Sequence, residues 1–142
     1  MKQSLLVEAN GGPLAIVIAG ANVPDAQLLA ETIEAVVLER PQPEPDFEQH
    51  LCLDKGFDND TGWGACIDHD YIPHIALIGD ERPDRPKTHK PRRWVVERTF
   101  AWLSKCRGIL IRWEKKADNY LGLLQLACGL LWFRHLHHLV AT

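Results

Sequence analysis

The sequence predicts an α/β domain, and three patterns carry that prediction. Two short apolar runs flank an Asn-Gly turn near the start, helical periodicity alternates with further apolar runs through the middle, and a Leu-rich helical pattern closes the chain. The 142 residues amount to about one domain. That length buries roughly two-thirds of the unfolded surface, enough for a real core. Apolar residues at 46% and charged residues at 25% are ordinary globular values, which excludes a disordered or collagen-like chain.

The first run, Ser4 to Glu8, is short and β-rich. Asn10-Gly11-Gly12-Pro13 is a strong turn signal, and the second run, Leu14 to Ala19, ends at Gly20. The pair reads as a β-hairpin. Its second strand is apolar on both faces and is expected to lie buried within a sheet. Pro24-Asp25 opens an amphipathic helix with Leu28, Leu29, Ile33, Val36 and Val37 at three- and four-residue spacing. That helix is expected to stop near Arg40, because Pro41, Pro43 and Pro45 cannot continue it. His50 to Asp54 is a short strand ending in an acid, and Lys55-Gly56-Phe57-Asp58 turns the chain. A short helix is expected within residues 58–70, with Trp63 and Ile67 inward. Ile72 to Ile78 reads as one more strand, with Pro73 favouring its start or an edge.

Residues 79–91 lack a core pattern and read as an exposed basic loop. Helical period returns from Arg92, with Val96, Phe100 and Leu103 on one face and Val95, Trp102 and Cys106 beside it. Ile109 to Lys116 fits helix or strand equally. Asp118 or Asn119 is a candidate cap for the last helix. Leu121, Leu124, Leu126, Leu130, Leu131 and Phe133 make that helix apolar nearly all round, as expected of a central packing helix or one that buries a face against another protein.

Charge is divided sharply along the chain. Residues 1–81 hold three basic and fifteen acidic side chains, a net of −12, and residues 82–116 hold twelve basic and three acidic, a net of +9. A basic block of this kind points to a polyanion as partner, unless the two halves neutralise each other in the fold. Neither a basic-then-apolar leader nor an unbroken apolar run of about 18 residues is present, so secretion and a spanning helix are not expected. The four scattered cysteines make no disulfide framework, which fits a reducing cytoplasm.

Two acids have the positions that chemistry needs. Asp54 closes a strand, at a sheet rim where a carboxylate can reach a metal or a substrate, although strand ends also carry acids for solubility. Glu97 lies in an apolar helical turn, where a bare buried carboxylate would be costly. The plainer alternative is a surface pair with Arg93 one turn earlier.

The local order of residues resembles the DDE transposases of insertion sequences, closest to insertion sequence family five. Asp54-Lys55-Gly56-Phe57-Asp58 is similar to the strand end around their second catalytic Asp, with Phe57 where the family often has Tyr. Arg93 to Leu103, with Trp94-Val95-Val96-Glu97-Arg98-Thr99-Phe100, is similar to the helix that carries their catalytic Glu. The hairpin through Gly20 and the stretch to Asp25 resemble the segment between the first two catalytic acids, and Glu114 to Asp118 with the Leu-rich end resembles the C-terminus.

The resemblance implies a ribonuclease-H-like mixed sheet with flanking helices over residues 1–142. It implies Mg²⁺ (or Mn²⁺) held by Asp54 and Glu97, and DNA strand cleavage and transfer by two-metal phosphoryl transfer. Lys87, Lys90, Arg92, Arg93, Trp94, Arg98, Lys105 and Arg107 would then face DNA, both transposon ends and target. In the family the first catalytic Asp lies on a strand upstream of the hairpin, whereas here Met1 stands just before the hairpin. Glu8 does not match that Asp. The resemblance thus leads to the expectation of the C-terminal part of a catalytic domain, inactive alone, with an upstream-frame part of the transposase or a second copy as partner. The alternative is a non-catalytic DNA-binding or assembly remnant.

Other constellations point less far. Cys66-x-x-His69 with His74 and Cys52 lacks the paired Cys-x-x-Cys of a zinc site. His135, His137 and His138 read as surface residues, and Trp102 and Trp132 as packing residues. Ser4 and Ser104 lie in no nucleophile elbow.

Overall fold

The computed structural model describes residues 1–75, 93–106, 109 and 115–141. Among these, an α/β arrangement of two small sheets and four helices is found. The strands are β1 (Lys2–Val7), β2 (Pro13–Ala19), β3 (His50–Leu53) and β4 (Ile72–Ile75). The helices are α1 (Asp25–Glu34), α2 (Asp60–Asp68), α3 (Arg93–Leu103) and α4 (Ala117–Ala141). A single 3-10 turn, Lys55–Phe57, joins β3 to α2.

The hairpin forms as expected. β1 and β2 pair antiparallel with Leu5 opposite Ile16 and Ser4 opposite Val17. Gly11 takes φ +91°, a conformation that costs a Cβ-bearing residue dearly, and the turn closes through Gly11 N–H to Glu8 O at 2.9 Å. Because successive side chains alternate across a strand, the hairpin has two dressed faces. Leu5, Ile16 and Ile18 join a core with Leu103, Ile109, Tyr120, Leu124, Ala127 and Leu131. Leu6 points the other way, to Leu29, Ile33, Leu51, Ala65 and Cys66, and Ser4 Oγ meets Thr32 Oγ1 at 2.7 Å. Among the described residues β2 pairs with β1 alone and so does not lie within a larger sheet; its two apolar faces are covered by helices, α1 on one side of the hairpin and α4 on the other.

β3 and β4 form a separate parallel pair, with Leu51 opposite Pro73 and Cys52 opposite His74. Both hydrogen-bonding senses therefore occur, in two pairs.

Several elements differ from the expectation. α1 ends at Glu34, before the prolines, so Val36 and Val37 lie past the helix and Val37 is 81% exposed. Adjacent β-branched residues are poor helix formers, and Val37 N–H turns to Leu14 O at 3.4 Å. In α2 the inward side chains are not Trp63 and Ile67, which are exposed, but Gly62, Ala65 and Cys66. Small residues let the helix lie close: a Cβ on Gly62 would stand 2.1 Å from Phe57 O. α4 starts at Ala117, so Asp118 sits in its first turn, where it complements the helix dipole, and does not cap it. Tyr120, Leu124, Ala127 and Leu131 bury one stripe of α4 at i, i+4, i+7, i+11, while Leu126, Leu130, Phe133 and Leu136 stay exposed. Burying Leu124 fully is worth about 1.5–3 kcal/mol. Residues 76–78 of the expected fourth strand, the basic loop 79–91 and most of 109–116 lie outside the described residues.

No described helix is long and apolar enough to cross a membrane.

Candidate active site

Asp54 follows the last residue of β3 and is exposed. Its backbone is extended (φ −75°, ψ 161°), and its side chain caps the 3-10 turn, Oδ1 accepting from Lys55 N–H at 2.6 Å. The loop behind it is pinned at several points. Asn59 Oδ1 accepts from Gly62 N–H at 2.9 Å and so caps α2, while Asn59 Nδ2 donates to Gly56 O at 3.1 Å. Trp63 Nε1 donates to Asp58 Oδ1 at 2.9 Å. The sequence Asp54-Lys55-Gly56-Phe57-Asp58 therefore holds a carboxylate at a strand tip with little freedom.

Glu97 lies in the middle of α3. The buried line of this helix is Val95, Thr99 and Leu103, spaced by four. Glu97 is two residues from Val95 and from Thr99, which at 100° per residue puts it on the opposite face, and it is exposed. Its carboxylate therefore does not bear the desolvation cost that its apolar neighbours in sequence suggest. The Arg93 side chain of the alternative ion pair lies outside the described residues.

The helix is fixed to the hairpin by Arg98 and Thr99, the two motif residues that follow Glu97. Thr99 is fully buried, and its Oγ1 reaches Gly11 O at 2.7 Å and Val95 O at 3.2 Å. Arg98 Nη2 donates to Asn10 O at 2.7 Å, and its guanidinium lies over Trp94 and Trp102, 4.9 and 4.7 Å from the ring centres. A Cβ on Gly11 would meet both Arg98 and Thr99 at 3.1 Å. Asn10-Gly11 is therefore more than a hairpin turn: it makes the seat of the helix that bears Glu97. The one signal of this in the sequence is the core spacing of Thr99 after Val95. Glu8, which does not match the first family Asp, has its carboxylate engaged in the same turn, Oε1 accepting from Gly12 N–H at 2.7 Å.

The candidate phosphate-binding residues are placed unevenly. Trp94 is 55% exposed and Lys105 is exposed, whereas Arg98 is half-buried on the turn and the two indoles. Lys87, Lys90, Arg92 and Arg107 lie outside the described residues, as does the side chain of Arg93. Asp54 belongs to an element of the α1–α2–β3 cluster, and Glu97 to a helix packed on β1 and α4.

Among the described residues no group of three His, Cys, Asp or Glu converges. The two carboxylates are exposed hard oxygen donors, the type Mg²⁺ accepts while retaining several waters. Cys66 and His69 belong to no group of three potential ligands among the described residues. Cys66 is fully buried with its thiol pKa raised by burial, and His69 uses Nδ1 on Ala65 O at 2.7 Å and Nε2 on Glu34 at 3.3 Å. His135 Nδ1 lies 2.7 Å from Leu131 O, and its ring packs edge-on against Trp102.

Comparison with known proteins agrees with the motif order. The family described as transposase DDE domain matches residues 1–132. The chain is 34% identical over 139 residues to a protein of Burkholderia cepacia named "Putative transposase for insertion sequence element IS402", covering 92% of this chain. It spans 61% of the length of that relative. No solved structure matches. A strand-end Asp, a helix-borne Glu and a match over residues 1–132 lead to one conclusion: the chain belongs to the transposase DDE domain family.

Proposed function

We propose that this chain cleaves and joins DNA strands as part of a transposase, on a ribonuclease-H-like domain with Asp54 and Glu97 as two of its metal-holding carboxylates. The observation that carries the reading is Asp54. It stands at the tip of a strand in a parallel pair, exposed, with its carboxylate oriented by Lys55 N–H and its loop pinned to α2. Strand tips of this kind are where α/β sheets place reactive groups.

Glu97 is presented on the outer face of a helix whose inner face is locked to the hairpin by Thr99 and Arg98. Both carboxylates thus sit on supports that resist displacement, as positioning for an in-line displacement requires. A divalent cation, Mg²⁺ or Mn²⁺, when bound by them supplies Lewis-acid stabilisation of the charge that develops on the phosphoryl and leaving oxygens. Lys87, Lys90, Arg92, Arg93, Lys105 and Arg107 hold DNA phosphates, and Trp94 offers an exposed ring for stacking. Arg98 acts as a positioning residue for α3. The working compartment is the cytoplasm, where bacterial DNA lies.

A second reading is a non-catalytic DNA-binding or assembly module. The observations favouring it are the apolar face of α4 left exposed, with Leu126, Leu130, Phe133 and Leu136, and the net charge of +9 on residues 82–116.

One experiment separates the two. Labelled linear and supercoiled DNA bearing the element's ends is incubated with Mg²⁺ or Mn²⁺ and the chain, alone and joined to the N-terminal part of the longer relative. Cleavage is expected in the joined form, abolished by Glu97→Gln with DNA binding retained. Cleavage that survives Glu97→Gln removes Glu97 from the site. Salt-sensitive binding with no cleavage in either form supports the second reading.

A further inference from the structure

Two imidazoles converge on one face of the β3–β4 pair, and the proposed DNA chemistry makes no use of them. His50 opens β3 and His74 is the third residue of β4. Cys52 is the register partner of His74, and His50 lies two residues before Cys52, so all three share a face by alternation. Nδ1 of His50 and Nε2 of His74 are 2.7 Å apart, with ring centres 4.9 Å apart and planes tilted by 41°. A single proton fits between nitrogens at that spacing, so one of the two presents a lone pair to the other.

The Glu48 carboxylate lies near the pair. Its Oε2 lies 3.9 Å from Nε2 of His50, the ring nitrogen turned away from His74. At that distance the carboxylate acts on the ring through its charge and makes no hydrogen bond to it.

We propose that His50 and His74 chelate a borderline transition-metal ion, Zn²⁺ foremost, between Nδ1 of one ring and Nε2 of the other, clipping β4 to the strand that ends in Asp54. Zn–N bonds of about 2.0–2.1 Å at tetrahedral angles put two nitrogens about 3.3 Å apart. The rings need separate only slightly from 2.7 Å, and both are accessible enough to do so. For both nitrogens to bind, the ring that carries the shared proton moves it to its other nitrogen, so no proton is lost overall. No third described His, Cys, Asp or Glu joins the pair, so water completes the coordination. The site is accordingly weaker than a closed four-ligand structural site. Imidazole nitrogen selects Zn²⁺, Ni²⁺ or Cu²⁺ over Mg²⁺, which separates this pair from a carboxylate site.

The test is calorimetric titration of the full chain with ZnCl₂ in a non-coordinating buffer, paired with thermal unfolding. The expected result is a saturable step of one Zn²⁺ per chain and a Tm that rises with Zn²⁺. His50→Ala and His74→Ala should each weaken that step at least tenfold, while Asp54→Asn and a His135→Ala/His137→Ala/His138→Ala variant keep it. An excess of Mg²⁺ should not compete. His50→Gln and His74→Gln serve as second variants if an alanine variant fails to fold. Absence of binding at millimolar Zn²⁺, or binding unchanged in variants of both histidines, overturns the proposal.

Discussion

Gly12→Ala is the substitution whose outcome most directly tests how the hairpin is seated. Gly12 is buried at the end of the turn, and a Cβ there would stand 2.4 and 2.5 Å from two ring carbons of Trp132 and 3.0 Å from Glu8 Oε1. Gly12 does not share the left-handed backbone of Gly11, so the side chain alone is at issue. Elsewhere such a change stabilises a protein by about 0.4–1 kcal/mol, because the unfolded chain loses freedom. Here the indole cannot give way cheaply, since its Nε1 donates to Pro13 O at 2.6 Å. Forcing atoms into a packed site costs about 1–3 kcal/mol, and loss of the indole hydrogen bond adds about 0.5–1.5 kcal/mol. The net expectation is destabilisation of about 0.5–4 kcal/mol, opposite in sign to the default. Urea unfolding followed by circular dichroism measures it, as a fall in midpoint at constant slope. Trp132→Phe removes the crowding ring, so the double variant should show strong coupling, with the alanine costing far less in that background. A neutral or stabilising Gly12→Ala, or strict additivity with Trp132→Phe, would refute the reasoning.

Three further outcomes follow from the same structure. Gly62→Ala drives a Cβ to 2.1 Å from the Phe57 carbonyl, which is backbone and cannot rotate aside. Its cost should match or exceed the upper part of the same range of about 1–3 kcal/mol, and in the joined protein it should lower cleavage more than DNA binding, by shifting the turn behind Asp54. Neutralising Arg92 and Arg93 together should weaken DNA binding and flatten the dependence of log K on log salt by about 0.9 for each phosphate that is no longer neutralised; an unchanged slope removes both from the DNA surface. Cys128 has its thiol pKa pushed up from 9.0 to about 11 by burial and by the neighbouring Cys106. The folded state therefore holds a proton that the unfolded state releases. The stabilisation is full below pH 9 and should fade as pH rises towards about 11, with urea midpoints of the chain and of Cys128→Ser converging over that window.

Much of this protein is set by short-range rules that a sequence displays. The Asn10-Gly11 turn between two apolar runs specifies the hairpin, because a left-handed residue between strands admits little else. The run Leu14 to Ala19, apolar on both faces, marked a buried strand, but the packing of α1 and α4, and not a larger sheet, covers it among the described residues. The motifs around Asp54 and Glu97, read in order, identified the family, since each couples an acid to the local geometry that presents it. Tertiary packing alone decided which faces are buried. Trp63 and Ile67 lost the inner face of α2 to Gly62, Ala65 and Cys66, because a helix lying close to backbone needs small residues more than large apolar ones. Thr99, not an aliphatic residue, took the centre of α3, because a carbonyl of the turn had to be satisfied there. Arg40 read only as the end of a helical pattern, but it donates to Gln49, to the carbonyls of His69 and Asp70, and stacks on Tyr71. His50 and His74, 24 residues apart, became neighbours through strand register. Periodicity records which residues share a face, whereas the atoms that face meets belong to distant segments, and only the folded chain brings them together.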